Sequence, residues 1–373
     1  MNLSQRAGLA LLVCLPILAW AQQASAPPAA AGQPEAASPA APQAPALAPP
    51  PASAPQVADG RIHLDVTVTD KSGKPISGLD LKDFTLLDNN QPAKILSFQA
   101  FDGTAQKPNP PVEVILAIDT VNDMHQQVAL VRQDIEKFLR QNGGHLAQPV
   151  SIFLISDEKV EVRRRPSVDG NALAEEVKNL DDRLREIRSS EGLYGSIDRF
   201  EISLKMLTAI ANAEAKKPGR KLLIWTDSGW PLLISPRIET TTKGQQQLFD
   251  SIVDLSALLR EAHISVYSIS SGIPGGGTFL YQDYLKGVRK VEKTEFANLG
   301  LKVLAVQSGG RILGPDNDLA AQINRCVQDA GAYYTLSFDP PRAAQANEYH
   351  DLKVLVGQPG LTARANTGYY NQP

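Results

Sequence analysis

Between Val112 and Ala330, short and nearly continuous apolar runs alternate with longer segments of helical period, and this alternation limits the architecture more than any other feature of the chain. The runs are Val112 to Ile118 ending in Asp119, Val150 to Ile155, Leu222 to Thr226 ending in Asp227, Ile264 to Ile269, and Arg311 to Leu313. Strands with no polar alternation are buried on both faces, as in a parallel sheet. The helical segments are Met124 to Gln141, Asp169 to Arg188, Tyr194 to Ala215, Gln245 to Ala262, Phe296 to Gln307 and Asn317 to Ala330. Strands and amphipathic helices in this order predict a doubly wound α/β domain over residues 111–331.

The flanks have a different period. Ile62, Leu64, Val66 and Val68 alternate with polar residues, which predicts a half-buried strand closed by the turn residues Asp70 to Gly73. Phe84 to Asp88 and Ala93 to Phe98 read as a hairpin around Asn89 and Asn90. After Gly331, Tyr333 to Phe338, Leu352 to Val356 and Leu361 to Arg364 read as strands again. Residues 59–106 and 332–373 each have too few strands to hide an apolar face. Together they supply about six, so they are expected to pair into one small β-sandwich with the α/β domain inserted between them.

Composition removes several functions. The 373 residues carry 37 Lys plus Arg against 40 Asp plus Glu, a net charge of −3, which does not suit a phosphate-binding surface, so no nucleic-acid partner is expected. Two cysteines build neither a disulfide framework nor a four-thiolate zinc site. Cys326, at helical spacing with Leu319 and Ile323, is expected to be buried. The five histidines have no metal-ligand spacing. Gly275 to Gly277 lacks the Lys-Ser/Thr of a phosphate loop, and no Gly-x-Ser-x-Gly elbow occurs. Arg163 to Arg165, the one compact basic cluster, reads as a solvated hairpin edge.

The first 58 residues read as export and tether. Arg6, the apolar stretch Ala7 to Trp20 and Ala19-Trp20-Ala21 have the pattern of a signal peptide over residues 1–21. The apolar run is shorter than the ~20 residues a membrane-spanning helix needs, so cleavage is expected and no transmembrane span after it. Residues 22–58 contain ten Pro and fifteen Ala among 37 positions, with nothing bulky enough to fill a core, and are expected to be a disordered linker. The protein is therefore expected to be periplasmic or extracellular.

Three stretches carry a resemblance to a known family. Val66-Thr-Val-Thr-Asp-Lys-Ser-Gly-Lys-Pro-Ile-Ser-Gly-Leu79 followed by Lys82-Asp-Phe84 is similar to an N-terminal signature of the bacterial VWFA-related proteins. Val112 to Asp119 is similar to the first core strand of their von Willebrand factor type A domain. Tyr333 to Pro341, with Gly360-Leu-Thr-Ala-Arg364 and Gly368-Tyr-Tyr370, is similar to their C-terminal strands. The likeness covers about Arg61 to Tyr370. It implies a Rossmann-like type A domain with a metal-ion-dependent adhesion site at the strand ends, built from Asp-x-Ser-x-Ser, a Thr and a later Asp.

In this chain that motif is degenerate. Asp119 and Asp227 match the two aspartates, but Val121 and Asp123 stand where the serines belong and Glu191 where the Thr does. Val121 cannot ligate a cation, and four carboxylates (Asp119, Asp123, Glu191, Asp227) would over-neutralise Mg²⁺. Such a set suits a structural Ca²⁺ better. Alternatively, Asn122 or Asp123 caps the next helix while Asp119 and Asp227 bind loop amides. Trp225 reads as core, and Trp230 as either core or the floor of a cleft. The candidate ligand-binding residues are thus Asp119, Asn122, Asp123, Glu191, Asp227 and Trp230. The expectation is a non-enzymatic binding or assembly module for a protein or cell-envelope partner, without cofactor. The alternatives are a carboxylate-based hydrolase and a structural Ca²⁺-binding protein.

Overall fold

Ile62–Thr69 (β1) buries Ile62, Leu64, Val66 and Val68, as its period of two requires. Phe84–Asp88 (β2) turns through Asn89 and Asn90, both at positive φ, into Gln91–Ala93 (β3). Two left-handed residues in a two-residue turn match the twist of a hairpin, and Asn tolerates them better than most side chains. The hairpin closes earlier than the sequence suggests. Its second strand ends at Ala93, and Ser97–Asp102 (β4) pairs instead with a strand of a different sheet. Pro92 and the brevity of β3 leave a blunt edge, from which the chain crosses over.

The α/β part follows as Val112–Asp119 (β5), His125–Leu139 (α1), His145–Ile155 (β6), Val160–Val162 (β7), Ser167–Asp169 (β8), Gly170–Lys178 (α2), Gly192–Glu214 (α3), Arg220–Thr226 (β9), Thr242–Glu261 (α4), Ile264–Ile269 (β10), Leu301–Gln307 (α5), Ile312–Leu313 (β11) and Leu319–Val327 (α6). The chain ends with Ala332–Phe338 (β12), Glu348–Val356 (β13), Thr362–Arg364 (β14) and Gly368–Asn371 (β15). The computed structural model describes residues 60–102, 111–123, 125–157, 159–162, 165–180, 192–226, 229–231, 233, 242–270, 280–314 and 316–373. The expected signal peptide, the linker, most of the Arg163 to Arg165 cluster, Gly275 to Gly277, Glu191 and Asp227 lie outside the described residues.

Two local differences have simple causes. The helix expected from Phe296 to Gln307 is broken at Gly300, whose extended ψ of 142° separates a 3₁₀ turn from α5. The helix α2 starts one residue later than expected because Asp169 acts as its cap, accepting from the Ala172 N–H at 2.9 Å.

The central sheet has the order β11-β10-β9-β5-β6-β7, with β8 pairing the start of β6. The strands β11, β10, β9, β5 and β6 run parallel, and β7 and β8 are antiparallel additions. Successive side chains go to opposite faces. Ile115, Ala117, Phe153, Leu223 and Trp225 face α3, α4 and α5. Val114, Leu116, Ile152, Leu222 and Ile224 face α1, α2 and α6, where Cys326 is buried. The mixed α/β fold with a parallel sheet is the one implied by the family resemblance.

Strands from the two ends of the chain make two four-stranded sheets, ordered β14-β1-β12-β4 and β15-β13-β2-β3. Their buried side chains form one apolar cluster that includes Leu64, Val68, Phe84, Leu86, Tyr334, Phe338, Leu352 and Tyr369. Phe84 and Tyr334 meet at 5.0 Å between ring centroids, and Phe338 and Tyr369 at 5.8 Å.

Buried charges join these sheets to the parallel sheet at β9, β10 and the start of β11. Arg220, at the start of β9, donates to Thr67 Oγ1 of β1 at 2.7 Å and to the Asp329 carbonyl at 3.0 Å, with its guanidinium over the Tyr333 ring. Asp329 is fully buried and accepts from Arg311 at 2.6 Å, Arg364 at 2.7 Å and the Tyr267 hydroxyl at 3.0 Å. Beside them His263 Nδ1 lies 3.0 Å from Asp65 Oδ2, while Thr335 donates to Asp65 Oδ1.

The His263–Asp65 contact gives stability a pH dependence. The Asp65 charge raises the His263 pKa above its ordinary value, against the effect of burial. Burial of Asp65 opposes its ionisation, but the charge and hydrogen bond of His263, with Arg220 and Thr335, outweigh it and hold the carboxyl below its ordinary value. Lys221 and Arg220 also face His263 and moderate its rise. A raised histidine stabilises fully below its unfolded pKa of about 6.5, and the benefit is lost as pH rises through the folded value. A depressed aspartate stabilises above its unfolded pKa of about 3.9 and loses that as pH falls through the folded value. The pair therefore contributes most between about pH 4 and 6.5. Urea unfolding from pH 5 to 9 should show stability declining above pH 6.5 in the wild type, and a flatter profile in His263→Asn, which still suits the positive φ at that position. Equal slopes would show that the contact does not contribute.

Candidate functional site

In an open doubly wound sheet the binding crevice lies at the carboxyl ends of the strands, where the connections diverge to opposite faces. Here that point is between β5 and β9, which pair with Ile118 beside Thr226. The chain leaves β5 for α1 on one face and leaves β9 for α4 on the other. Asp119 is the last residue of β5 and is fully buried at this point. Thr226 closes β9 and donates its hydroxyl to the Ala117 carbonyl at 3.0 Å. Thr120 ties the loop to β6 through Ile155 O, with 2.8 Å from its hydroxyl and 3.0 Å from its N–H.

The Asp119 carboxylate accepts four hydrogen bonds. Oδ1 takes the Val121 N–H at 2.7 Å and the Asn122 N–H at 3.1 Å. Oδ2 takes the Asn122 side-chain amide at 2.8 Å and the Trp225 indole N–H at 2.8 Å. A carboxylate offers about four lone-pair positions, so these donors fill it. Burial nevertheless dominates over the bonds from Asn122, Trp225 and Val121, and pushes the Asp119 pKa above its ordinary value.

Asn122 is a bridge. Its side-chain N–H₂ donates both to Asp119 and to Ser203 Oγ on α3 at 2.8 Å. Ser203 was not a candidate from sequence, although a serine on the buried stripe of Phe200, Leu207 and Ile210 is the kind of polar intrusion that signals a partner. Asp123 is half-buried in the same loop. Trp225 is core, and its N–H is also what holds Asp119. Trp230 belongs to the buried cluster and not to an exposed floor. It is 7% exposed and meets Trp225 edge-on at 5.1 Å and Phe200 at 6.4 Å. Thus Asp119, Asn122, Trp225 and Ser203 are directly bonded into one network, and Trp230 packs on its aromatic member. Glu191 and Asp227 lie outside the described residues, and among those described no three His, Cys, Asp or Glu side chains converge.

No protein-family model matches the chain, and no curated protein does. Several solved structures are similar in part. The conserved hypothetical protein BatB from Bacteroides thetaiotaomicron is 13% identical over 59% of this chain and 98% of its own, with a TM-score of 0.29. The manganese-loaded TRAP protein of Plasmodium vivax is 12% identical over 73% of this chain and 97% of its own, at 0.31. The open form of the pilus adhesin SpaC from Lactobacillus rhamnosus GG is 10% identical over 79% of this chain and 44% of its own, at 0.35. Likeness at this level passes no ligand or partner to this chain.

Proposed function

We propose that the chain is an exported, non-enzymatic binding or assembly module that engages a protein or cell-envelope partner through the strand-end loops of a type A-like domain, without an adhesion-type metal ion. In this reading residues 1–21 are a cleaved signal peptide and residues 22–58 a flexible arm. Residues 59–106 and 332–373 form one β-sandwich that carries the α/β domain of residues 111–331.

The observation that carries the metal-free reading is the filled Asp119 carboxylate. An adhesion-type site needs that group as a free oxygen ligand, directly or through water. Here Val121, Asn122 and the Trp225 indole occupy it, so a cation would first have to displace donors from a buried acid. Val121, where the motif has a serine, offers its backbone N–H and an apolar side chain buried at 5% exposure. Asp119 in this arrangement serves as the organiser of the β5 loop, holding Asn122 against α3.

Thermal unfolding tests the metal-free half. A cation bound only to the folded state adds RT ln(1 + [L]/Kd), about 2.7 kcal/mol at a hundredfold excess over Kd. Unfolding curves in millimolar Mg²⁺, in Ca²⁺ and in EDTA should coincide. A Mg²⁺-dependent rise abolished by Asp119→Ala would overturn this half. Affinity capture from the native envelope tests the other half. Wild type should recover the same partner with and without EDTA. Thr120→Lys with Ser270→Lys, both half-buried at strand ends, should reduce recovery at least tenfold. Leu355→Lys, 49% exposed on β13, should not. Equal recovery by all three proteins would remove the strand ends from the binding role.

A further inference from the structure

The edges of the three sheets are not alike. Five of the six described edge strands, β14, β11, β7, β15 and β3, are two to four residues long, and β3 carries Pro92. Short edges and proline keep a sheet from recruiting a further strand. The sixth, β4, pairs with β12 over all six of its residues, from Ser97 to Asp102. Among the described residues no backbone group bonds to the other side of Ser97 to Phe101, and Ser97, Gln99 and Ala100 are exposed. The seven residues from Ile95 to Phe101 include no charged residue, no Pro and no Gly, so nothing in them blunts the edge.

Its apolar residues are incompletely covered on both faces. Phe98 lies on the sandwich side, with Phe84 at 5.4 Å and Tyr334 at 5.8 Å between ring centroids, and remains half-buried. Phe101, on the opposite face, stacks on Tyr333 at 4.8 Å and is half-buried too. Leu96, one residue before the strand, is 38% exposed. A further strand along this edge covers both rings from the side and satisfies the outward backbone groups.

We infer that this edge takes β4 of a second copy of the chain, antiparallel, so that the β14-β1-β12-β4 sheet continues across a two-fold axis into its equivalent. The strand fits itself in one register. Residues directly opposite in an antiparallel pair share a face, so a two-fold axis passes through a residue and not between two. Five paired positions within β4 place the axis at Gln99 or at Ala100. At Ala100, Phe98 of one copy would oppose Asp102 of the other. At Gln99, Phe98 opposes Ala100, Phe101 opposes Ser97, and the two Gln99 side chains meet, each amide offering a donor and an acceptor. Large residues then face small ones at every position off the axis. A charged peptide finds no counter-charge between Ile95 and Phe101, and the ten prolines of residues 22–58 deprive that arm of ladder donors. The edge is separate from the strand-end loops, so the inference stands apart from their proposed role.

Sedimentation equilibrium of the full chain across the micromolar range tests it. Wild type should show a reversible monomer–dimer equilibrium. Gln99→Lys and Gln99→Glu each set like charges opposite one another at the axis and remove the amide contact, and each should weaken the dimer about tenfold. An equimolar mixture of the two variants should recover the dimer as a heterodimer. Because Gln99 is exposed, the circular dichroism of both variants should match wild type. Leu355→Lys on β13, and Thr120→Lys with Ser270→Lys at the strand ends, should leave dimerisation unchanged. A wild type that stays monomeric overturns the inference, and loss of envelope capture in Gln99→Lys would then give the edge to a different protein. A dimer that Gln99→Lys leaves intact, or that the mixture fails to recover, overturns it as well. The strand-end reading fails separately, when the Thr120 and Ser270 variants retain envelope capture.

Discussion

A chain ending at Gly331 is expected to lose the order of its N-terminal strands, more than three hundred positions distant from some of the residues removed. Among the described strands β1 pairs with β12 and β14, both of which lie beyond that point, and it keeps otherwise only a bridge from Thr69 to Pro75. The strand β4 loses β12, and β2 loses β13. Of the pairings between these described strands the β2–β3 hairpin remains, with three paired positions, and an isolated hairpin of this size is marginal in water. Ile62, Leu64, Val66, Val68, Phe84 and Leu86 would lose the side chains that cover them. At about 1.5–3 kcal/mol for each large apolar side chain buried, the loss is on the order of 10 kcal/mol, comparable to the whole stability of a domain. Hydrogen exchange should show residues 62–102 unprotected in the truncated chain, while β5, β6 and β9 keep most of their protection. Unchanged protection in 62–102 would mean that the two ends fold independently.

The parallel sheet was legible because burial on both faces removes polar residues from a strand, a property visible over the five consecutive positions Val114 to Ile118. The flanking strands were legible by the opposite sign, the alternation of Ile62 to Thr69. Elements whose pairing depends on distant sequence were not. The division of the Ala93 to Asp102 stretch between two sheets is set by β12, 230 or more residues later, and β7 and β8 are only three residues each. The same limit applies to the site. Sequence located Asp119 at a strand end and offered both a metal ligand and a receiver of loop amides. Whether its oxygens are available depends on Trp225, 106 residues away, and on Asn122, which Ser203 holds from 81 residues away. No local pattern encodes a donor arriving from another strand. A buried serine among the apolar positions of α3 was the one local sign.

The second large effect is expected at Asp329, where Asp329→Ala should destabilise the protein by about 3–5 kcal/mol, the usual result of removing one partner from a buried ionic group. Asp329 follows α6 and is fully buried, with Arg311 from the β11 edge on one oxygen and Arg364 from β14 on the other. Tyr267 of β10 donates to the same oxygen as Arg364, and burial pushes its phenol pKa up, so it remains a donor through the alkaline range. Removing the carboxylate leaves two guanidinium groups at 17% and 21% exposure facing each other without a counter-charge. The loss should appear as a lower urea midpoint with the slope unchanged. Replacing the whole set by apolar residues separates charge from contact. Asp329→Leu with Arg311→Met and Arg364→Met should recover much of the stability lost in Asp329→Ala, because no charge is then left buried alone. If Asp329→Ala stays within about 1 kcal/mol of wild type, water reaches the arginines and the cluster does not bind the parallel sheet to β14. If instead the triple variant is as unstable as the single one, geometry and not charge is what Asp329 supplies: the acceptor positions that hold the β10, β11 and β14 ends in register.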